Sequence, residues 1–519
     1  MRLLAWLAAG VAIAPLIGVV AAALGDGRAD IAGSDLVRYA LTSAALASMV
    51  AVATAVLGSA SAWLVVMHRF PGRSVFAWAL ALPLAAPAFA VAYAYADLFD
   101  VAGDLRTWMR VVLGLDWGPH MRSLPGAAFV LSLAFYPYVY LTVRAALVSQ
   151  SSQAIEAARS LGCSPIQALF RIGLPLLRPA LAAGVALAGM ETLADFGAVQ
   201  FLSVQTLTTG VVRSWFVYGS LASAARLALP LLAAAAVLLW IERLGRRGRT
   251  DEAARSRWRP VEPSPLSPGR GALAFAFCAG LLTLGLILPV SWLALNAIDI
   301  DPDWSRLTRA AAHSLGLGLG GAVVTVALAT CLALSAERMP VTARISSLGY
   351  ATPGAVMAIG LLAPASILWQ TVPGAVSGLG AGLMLLLYAY AARLMAAALE
   401  PVEAGLTRVS PSMVAAARTL GRGEAAAALA IRLPVAAGAL LTATLVVFID
   451  ILKELPATLI LRPFNVDTLA VIADNYARDE RLPNAAWPSL MIVALTLPAV
   501  IWLTRKITAS RPGDSHGPA

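Results

Sequence analysis

Long apolar stretches separated by short polar ones organise this chain. Apolar windows lie near residues 3–24, 41–67, 74–99, 126–148, 178–200 and 226–241. After a polar break they resume near 271–297, 314–335, 346–371, 377–398, 435–451 and 486–504. A helix needs roughly 20 residues to cross the hydrocarbon core of a bilayer, so the windows predict roughly 12 spanning helices in two sets of about six. Strand-period alternation is absent from these windows, which argues against a β-barrel. The pattern predicts an all-α polytopic membrane protein.

Composition agrees. The 519 residues are 60% hydrophobic and 13% charged, with a mean hydropathy of +0.79, whereas soluble domains carry about 25% charged residues. The first segment, LLAWLAAGVAIAPLIGVVAAALG, has small residues at its end, but its apolar run exceeds the ~7–15 residues of a secretory signal core. It is read as a retained first span. Cys163, Cys278 and Cys331 are scattered without metal-ligand spacing, and the latter two sit in apolar runs as small hydrophobes.

The formal net charge is +10. Its arginines are spread over short loops, the footprint of membrane orientation rather than of nucleic-acid binding. When the spans alternate, His68, Arg69, Arg73, Arg159, Arg171, Arg338, Arg344, Arg408, Arg418, Arg422, Arg505 and Lys506 fall on one side with the Arg-rich and Pro/Ser-rich break ERLGRRGRTDEAARSRWRPVEPSPLSPGR. That side is read as cytoplasmic, with both termini on it. The expected division is a first half at 1–241, a cytoplasmic linker at 242–270 and a second half at 271–519.

The halves repeat. Leu161-Gly162 and Leu174-Pro175 match Leu420-Gly421 and Leu433-Pro434 at a constant offset, and Arg144 is answered by Arg393. Thr206-Leu207 in VQTLTTGVV is answered by Thr468-Leu469 in NVDTLAVIA. An even number of spans per half gives both copies one orientation, a parallel duplication about an axis along the membrane normal. Within the loop at 151–175, SSQAIEAARSL has helix-forming composition, Gly162 offers a left-handed cap, and Ser164-Pro165-Ile166-Gln167 opens a second short helix. The loop at 410–434 repeats this plan. Composition alone leaves two readings open: an interfacial helix lying on headgroups, or a rigid elbow that receives force from a soluble partner.

EAARSLG followed by IGLP resembles the EAA loop of ABC-importer permeases, the signature of their coupling helix. The second copy keeps Ala416-Ala417-Arg418, Leu420-Gly421 and Ile431-Arg432-Leu433-Pro434, with Ala415 where the glutamate would stand. Two copies in one chain, with METLADFGAVQFLSVQTLTTGVVRSWF and KELPATLILRPFNVDTLAV, are similar to fused iron(III) permeases; thiamine and some phosphonate permeases share parts of them. The resemblance implies a type I ABC-importer permease fold. It also implies a bacterial inner-membrane location, a periplasmic substrate-binding protein, and two copies of a cytoplasmic ABC ATPase. Docking of the ATPases would fall to Glu156, Ala157, Ala158, Arg159, Gly162, Leu174 and Pro175 in one loop. In the other it would fall to Ala416, Ala417, Arg418, Gly421, Leu433 and Pro434. ATP would be used by that partner; this chain is expected to bind no cofactor.

No GxxxxGK[ST] phosphate loop occurs, and four distant histidines offer no catalytic arrangement. Gly316, Gly318 and Gly321 form GxGxxG inside an apolar window with no βαβ context, so close helix packing is the expected role. Ionisable residues at span depth are costly in lipid and mark cavities or pairs. Here they are Asp97, Arg144, Glu191, Asp195, Arg393, Asp450, Lys453 and Glu454. The repeat aligns Glu191 with Asp450 and Asp195 with Glu454. Two readings stand: an acidic path suited to a hard cation, which favours oxygen ligands, or buried pairs with Lys453, Arg144 or Arg393. Tyr93, Tyr95, Tyr136, Tyr138 and Tyr140 are read as interfacial-belt residues, with ferric ligation as the alternative. The rivals in function are a permease for thiamine, a phosphonate or another small solute, and an ion-coupled secondary transporter, whose halves would also repeat. A membrane anchor or sensor without a path is disfavoured by the paired charges.

Overall fold

The computed structural model describes residues 2–25, 33–114, 118–149, 162, 174–246, 263–335, 352–371, 379–407, 409–419, 421, 423, 426 and 428–509. Each of the twelve apolar windows contains helix. In the first half these are α1 (Arg2–Ala23), α2 (Gly33–Met67), α3 (Arg73–Ala79), α4 (Ala88–Leu98), α5 (Asp104–Leu113), α6 (Leu124–Ser149), α7 (Leu174–Ala194), α8 (Gly197–Phe201), α9 (Leu207–Phe216) and α10 (Leu221–Arg246). The second half has α11 (Pro268–Leu282), a π turn, α12 (Leu288–Ile298), α13 (Trp304–Ser335), α14 (Gly354–Thr371), α15 (Leu379–Leu406), α16 (Pro411–Thr419), α17 (Leu433–Leu452), α18 (Pro456–Leu461), α19 (Leu469–Arg478) and α20 (Leu482–Ala509). Two-residue strands β1 (His68–Arg69) and β2 (Ser264–Pro265) pair in parallel and tie the end of the linker to the turn after α2.

Among the described residues eight helices are long and apolar enough to cross a membrane, nine when a bent pair counts as one. That pair, Arg73–Ala85 and Ala88–Leu98, turns through 89° where the sequence predicts one straight span. Proline explains the corner. Pro83 and Pro87 cannot donate to a helix ladder, and Ala86, which precedes Pro87, is extended at ψ 131. The chain therefore leaves a 3₁₀ turn at Leu82–Ala85 and restarts as α4 behind Pro87.

The duplication is visible in the packing. The trio α2, α6 and α7 is matched by α13, α15 and α17, and α9 on α10 is matched by α19 on α20. Thr206 caps α9 and Thr468 caps α19 through their side-chain oxygens. The next amide in each copy reaches a distant serine: Leu207 N–H donates to Ser43 Oγ at 2.8 Å, and Leu469 N–H donates to Ser314 Oγ at 2.9 Å.

The first helix of each half crosses to the other. Helix α1 packs on α14, and α12 packs on α4 as well as on α20. The α1–α14 crossing is backbone on backbone: a Cβ on Gly18 would lie 1.9 Å from the Gly360 carbonyl oxygen, and one on Gly360 would lie 2.0 Å from that of Pro15. Small residues allow such approach where lipid supplies no hydrophobic drive between helices. The larger buried cluster accordingly draws on both halves, from Val19 and Leu231 to Leu307 and Ile359. Large apolar side chains such as Ile17, Leu41, Val52, Val237, Leu295 and Val323 remain exposed around the outside, as a lipid-facing surface requires. Gly318 and Gly321 pack against Phe448 and Ile451 of α17, which gives the GxGxxG stretch its helix-packing role.

Candidate functional site

A cavity of about 90 Å³ lies where the two halves meet, and all four acidic residues singled out from the repeat line it. Its walls include Leu84–Phe89 at the α3–α4 corner, Phe135 and Tyr138 of α6, and Arg393 of α15. Glu191 stands in the last turn of α7, Asp195 in the break before α8, Asp450 in the last turn of α17, and Lys453 and Glu454 in the break before α18. The two breaks have one cause. Asp195 Oδ1 accepts from the Val199 amide at 3.0 Å, and Glu454 accepts from the Ala457 and Thr458 amides at 3.1 and 3.0 Å. Each carboxylate caps a short helix that begins inside the bundle.

The carboxylates differ in what else they do. Glu454 is buried and saturated: it also accepts from Thr458 Oγ1 at 2.8 Å and pairs with Arg393 Nη1 at 3.1 Å. Tyr390 OH meets the same Thr458 hydroxyl at 2.6 Å. Gly354 faces this group with no room to spare, since a Cβ there would lie 2.3 Å from Glu454 Oε1. Glu191 lies 3.9 Å from the other Arg393 nitrogen, and Asp450 lies 3.3 Å from Lys453 Nζ. Their side chains keep 29% and 27% of their surface, and Asp195 is likewise half-buried at the cavity wall. Four acidic and two basic side chains therefore line the chamber. Glu191, Glu454 and Asp450 thus pair with Arg393 or Lys453, and all four carboxylates line the cavity.

Two of these contacts join the halves. Glu191 of the first half meets Arg393 of the second, and Lys453 donates to the Leu84 carbonyl of the α3–α4 corner at 3.2 Å. A second cavity of about 340 Å³ lies at the end of the bundle where α6 begins, lined by Arg122, Gln200, Phe201, Asp474, Ala477, Arg478 and Glu480. Phe196 lines the central chamber, and the Arg478 guanidinium of the outer one stacks 5.2 Å from its ring centroid. Arg478 is held in turn by buried Asp474 at 2.7 Å. This partition was not read from the sequence; the only signal was the i, i+4 spacing of Asp474 and Arg478.

The tyrosine expectation is corrected. Tyr93, Tyr95, Tyr136 and Tyr140 are 0–1% exposed inside the bundle rather than at a lipid interface. Tyr95 OH donates to the Leu284 carbonyl at 2.7 Å and Tyr140 OH to that of Ala77 at 2.8 Å. Only Tyr138 of the five lines the chamber. Among the described residues no three or more His, Cys, Asp or Glu side chains converge in a way that could hold a metal ion. Of the thiols, Cys278 is buried and Cys331 half-buried.

Of the repeated loops, Glu156, Ala157, Ala158 and Arg159 lie outside the described residues. Gly162 and Gly421 both take left-handed backbone, at φ 86 and 77, the conformation in which glycine ends helices cheaply. Ala416, Ala417 and Arg418 sit in α16, with Ala416 exposed and Ala417 buried. Leu174-Pro175 opens α7 and Leu433-Pro434 opens α17, where a first-turn proline loses no hydrogen bond.

A bundle of apolar helices duplicated about a polar chamber, with a left-handed glycine ahead of a Leu-Pro helix start in each half, is a membrane transport subunit. Residues 54–247 match the family of binding-protein-dependent transport system inner membrane components. The chain is 27% identical over 454 residues, covering 84% of it and 83% of the relative, to the Fe(3+)-transport system permease protein FbpB 2 of Haemophilus influenzae. It is 31% identical over 223 residues to the sulfate transport system permease protein CysT of Escherichia coli, covering 40% of this chain and 77% of that one. It is 27% identical over 220 residues to the molybdenum transport system permease protein ModB of Escherichia coli, covering 40% and 93%. The chain belongs to the binding-protein-dependent inner-membrane components, the permeases of ABC importers.

Proposed function

We propose that this chain is a two-half permease of an ATP-driven importer for iron(III). The observation that carries the reading is the excess of carboxylates over cations in the chamber between the halves, in a chain similar to the iron relative along 84% of its length. Oxygen donors suit a hard trivalent cation, and Glu191 and Asp450 present them from equivalent positions of the two halves.

In this reading the termini and the repeated loops face the cytoplasm, and each loop docks one copy of a separate ATPase. A substrate-binding protein delivers its load to the outer cavity. The chain has no ATP site of its own and binds no cofactor. ATP-driven closure of the ATPases rocks the halves, breaking Arg478 from Phe196 above the chamber and the Arg393–Glu191 and Lys453–Leu84 contacts around it.

A second reading, an oxyanion path, draws on the sulfate and molybdenum relatives and on Arg122 and Arg478 in the outer cavity. Uptake of labelled iron(III) and labelled sulfate and molybdate by cells expressing the whole system separates them. Energy-dependent iron uptake with no gain in either oxyanion is expected; oxyanion uptake without iron would overturn the proposal.

A further inference from the structure

Near its carboxyl end α20 carries a groove of about 620 Å³ that neither the chamber nor the loops account for. It is lined by Leu497, Pro498, Ile501, Trp502, Arg505 and Lys506. The first four make an apolar floor on the outside of the bundle, and none of the six is acidic. From Leu497 to Lys506 the helix rises about 13 Å, close to the roughly 15 Å hydrocarbon depth of one leaflet, taken as half the core thickness. The two cations close one end of that floor.

Both cations are held in place rather than left to sweep the surface. The Arg505 guanidinium lies 4.5 Å from the centroid of the Trp78 ring on α3, and Lys506 Nζ lies 4.5 Å from that of Trp502. Lys506 also donates to the Gly438 carbonyl of α17 at 3.1 Å. Tryptophan prefers the headgroup level of a bilayer, and a basic pocket at that level between helices is the chemistry that selects anionic headgroups. Charge, depth and apolar length all match one occupant.

We propose that this groove binds an anionic phospholipid, with an acyl chain along Leu497, Pro498, Ile501 and Trp502 and its phosphate between Arg505 and Lys506. The site lies beside the start of α17, the helix that leaves the second repeated loop, so the bound lipid wedges α20 against the element that loop moves.

Native mass spectrometry of the full-length chain, titrated in detergent with phosphatidylglycerol or phosphatidylcholine, tests this. Phosphatidylglycerol should bind about 30-fold more tightly, two basic residues each contributing roughly fivefold near anionic headgroups. R505Q/K506Q should erase that preference, and R505K/K506R should keep it, an outcome that a purely structural role for these side chains does not produce. If the glutamine variant does not accumulate, I501W, which fills the groove and leaves both charges, should block phosphatidylglycerol instead. Equal affinity for the two lipids, unchanged phosphatidylglycerol binding in R505Q/K506Q or in I501W, or displacement of the lipid by inorganic phosphate would overturn the proposal.

Discussion

Four carboxylates that look alike in the sequence do different work. Glu454 is a buried cap and ion-pair partner, so Glu454→Ala takes the nearer carboxylate from Arg393 and strands two amides; breaking a buried pair in this way costs about 3–5 kcal/mol. A lowered unfolding midpoint in detergent should report it. Glu191 and Asp450 instead keep more than a quarter of their side-chain surface, and Glu191 stands 3.9 Å from its cation. Glu191→Gln with Asp450→Asn should therefore leave the midpoint nearly unchanged while iron uptake falls several-fold at equal expression. Full uptake by that double variant would remove the acidic path from the mechanism. The sequence showed these positions through their repeat spacing, yet it could not rank them. Ranking depends on Arg393 and Gly354, which reach Glu454 only through the fold.

Helix existence was legible because bilayer length and apolar continuity are strong signals. Helix shape was less so. The windows at 74–99 and 178–200 read as continuous, and both break: one at Pro83 and Pro87, the other where Asp195 turns its carboxylate to the Val199 amide. In each case local backbone chemistry overrode an apolar run, which only a partner for the freed groups permits in a membrane. The repeated loops pose the opposite case, since their left-handed glycines were readable and are present. Their sequences have drifted at one position, Glu156 against Ala415. Glu156→Ala should lower substrate-stimulated ATPase activity of the assembled importer several-fold, and Ala415→Gly should change it little. Equal effects would mean that the two elbows dock alike.

Seen whole, the molecule is two halves in contact across a line of removable partners, with Phe196 under Arg478 at the outer end. One comes from each half, so the rocking proposed above would separate them. A Phe196→Cys/Arg478→Cys pair bridged by a short bis-methanethiosulfonate reagent, which forms one disulfide to each thiol and releases two sulfinates, should stop transport, and reduction should restore it. Transport that continues while the bridge is intact would show that the outer cavity is not the entrance. The duplication itself was legible from the recurring Leu-Gly, Leu-Pro and Thr-Leu pairs. The exchange of first helices was not, because a spanning helix carries no mark of the partner it will meet; Gly18 and Gly360 are informative only once they touch.

That exchange has a consequence for how the protein is made. Gly360 is synthesised 342 residues after Gly18, a wait of roughly 20–70 s at about 5–20 residues per second. Until then α1 has α10 of its own half to pack on but not the α14 surface that Gly18 meets. Multidomain chains generally fold their amino-terminal unit first; here the α1–α14 crossing has to wait for the second half, so the last backbone-on-backbone contact of the first helix is also the latest to form.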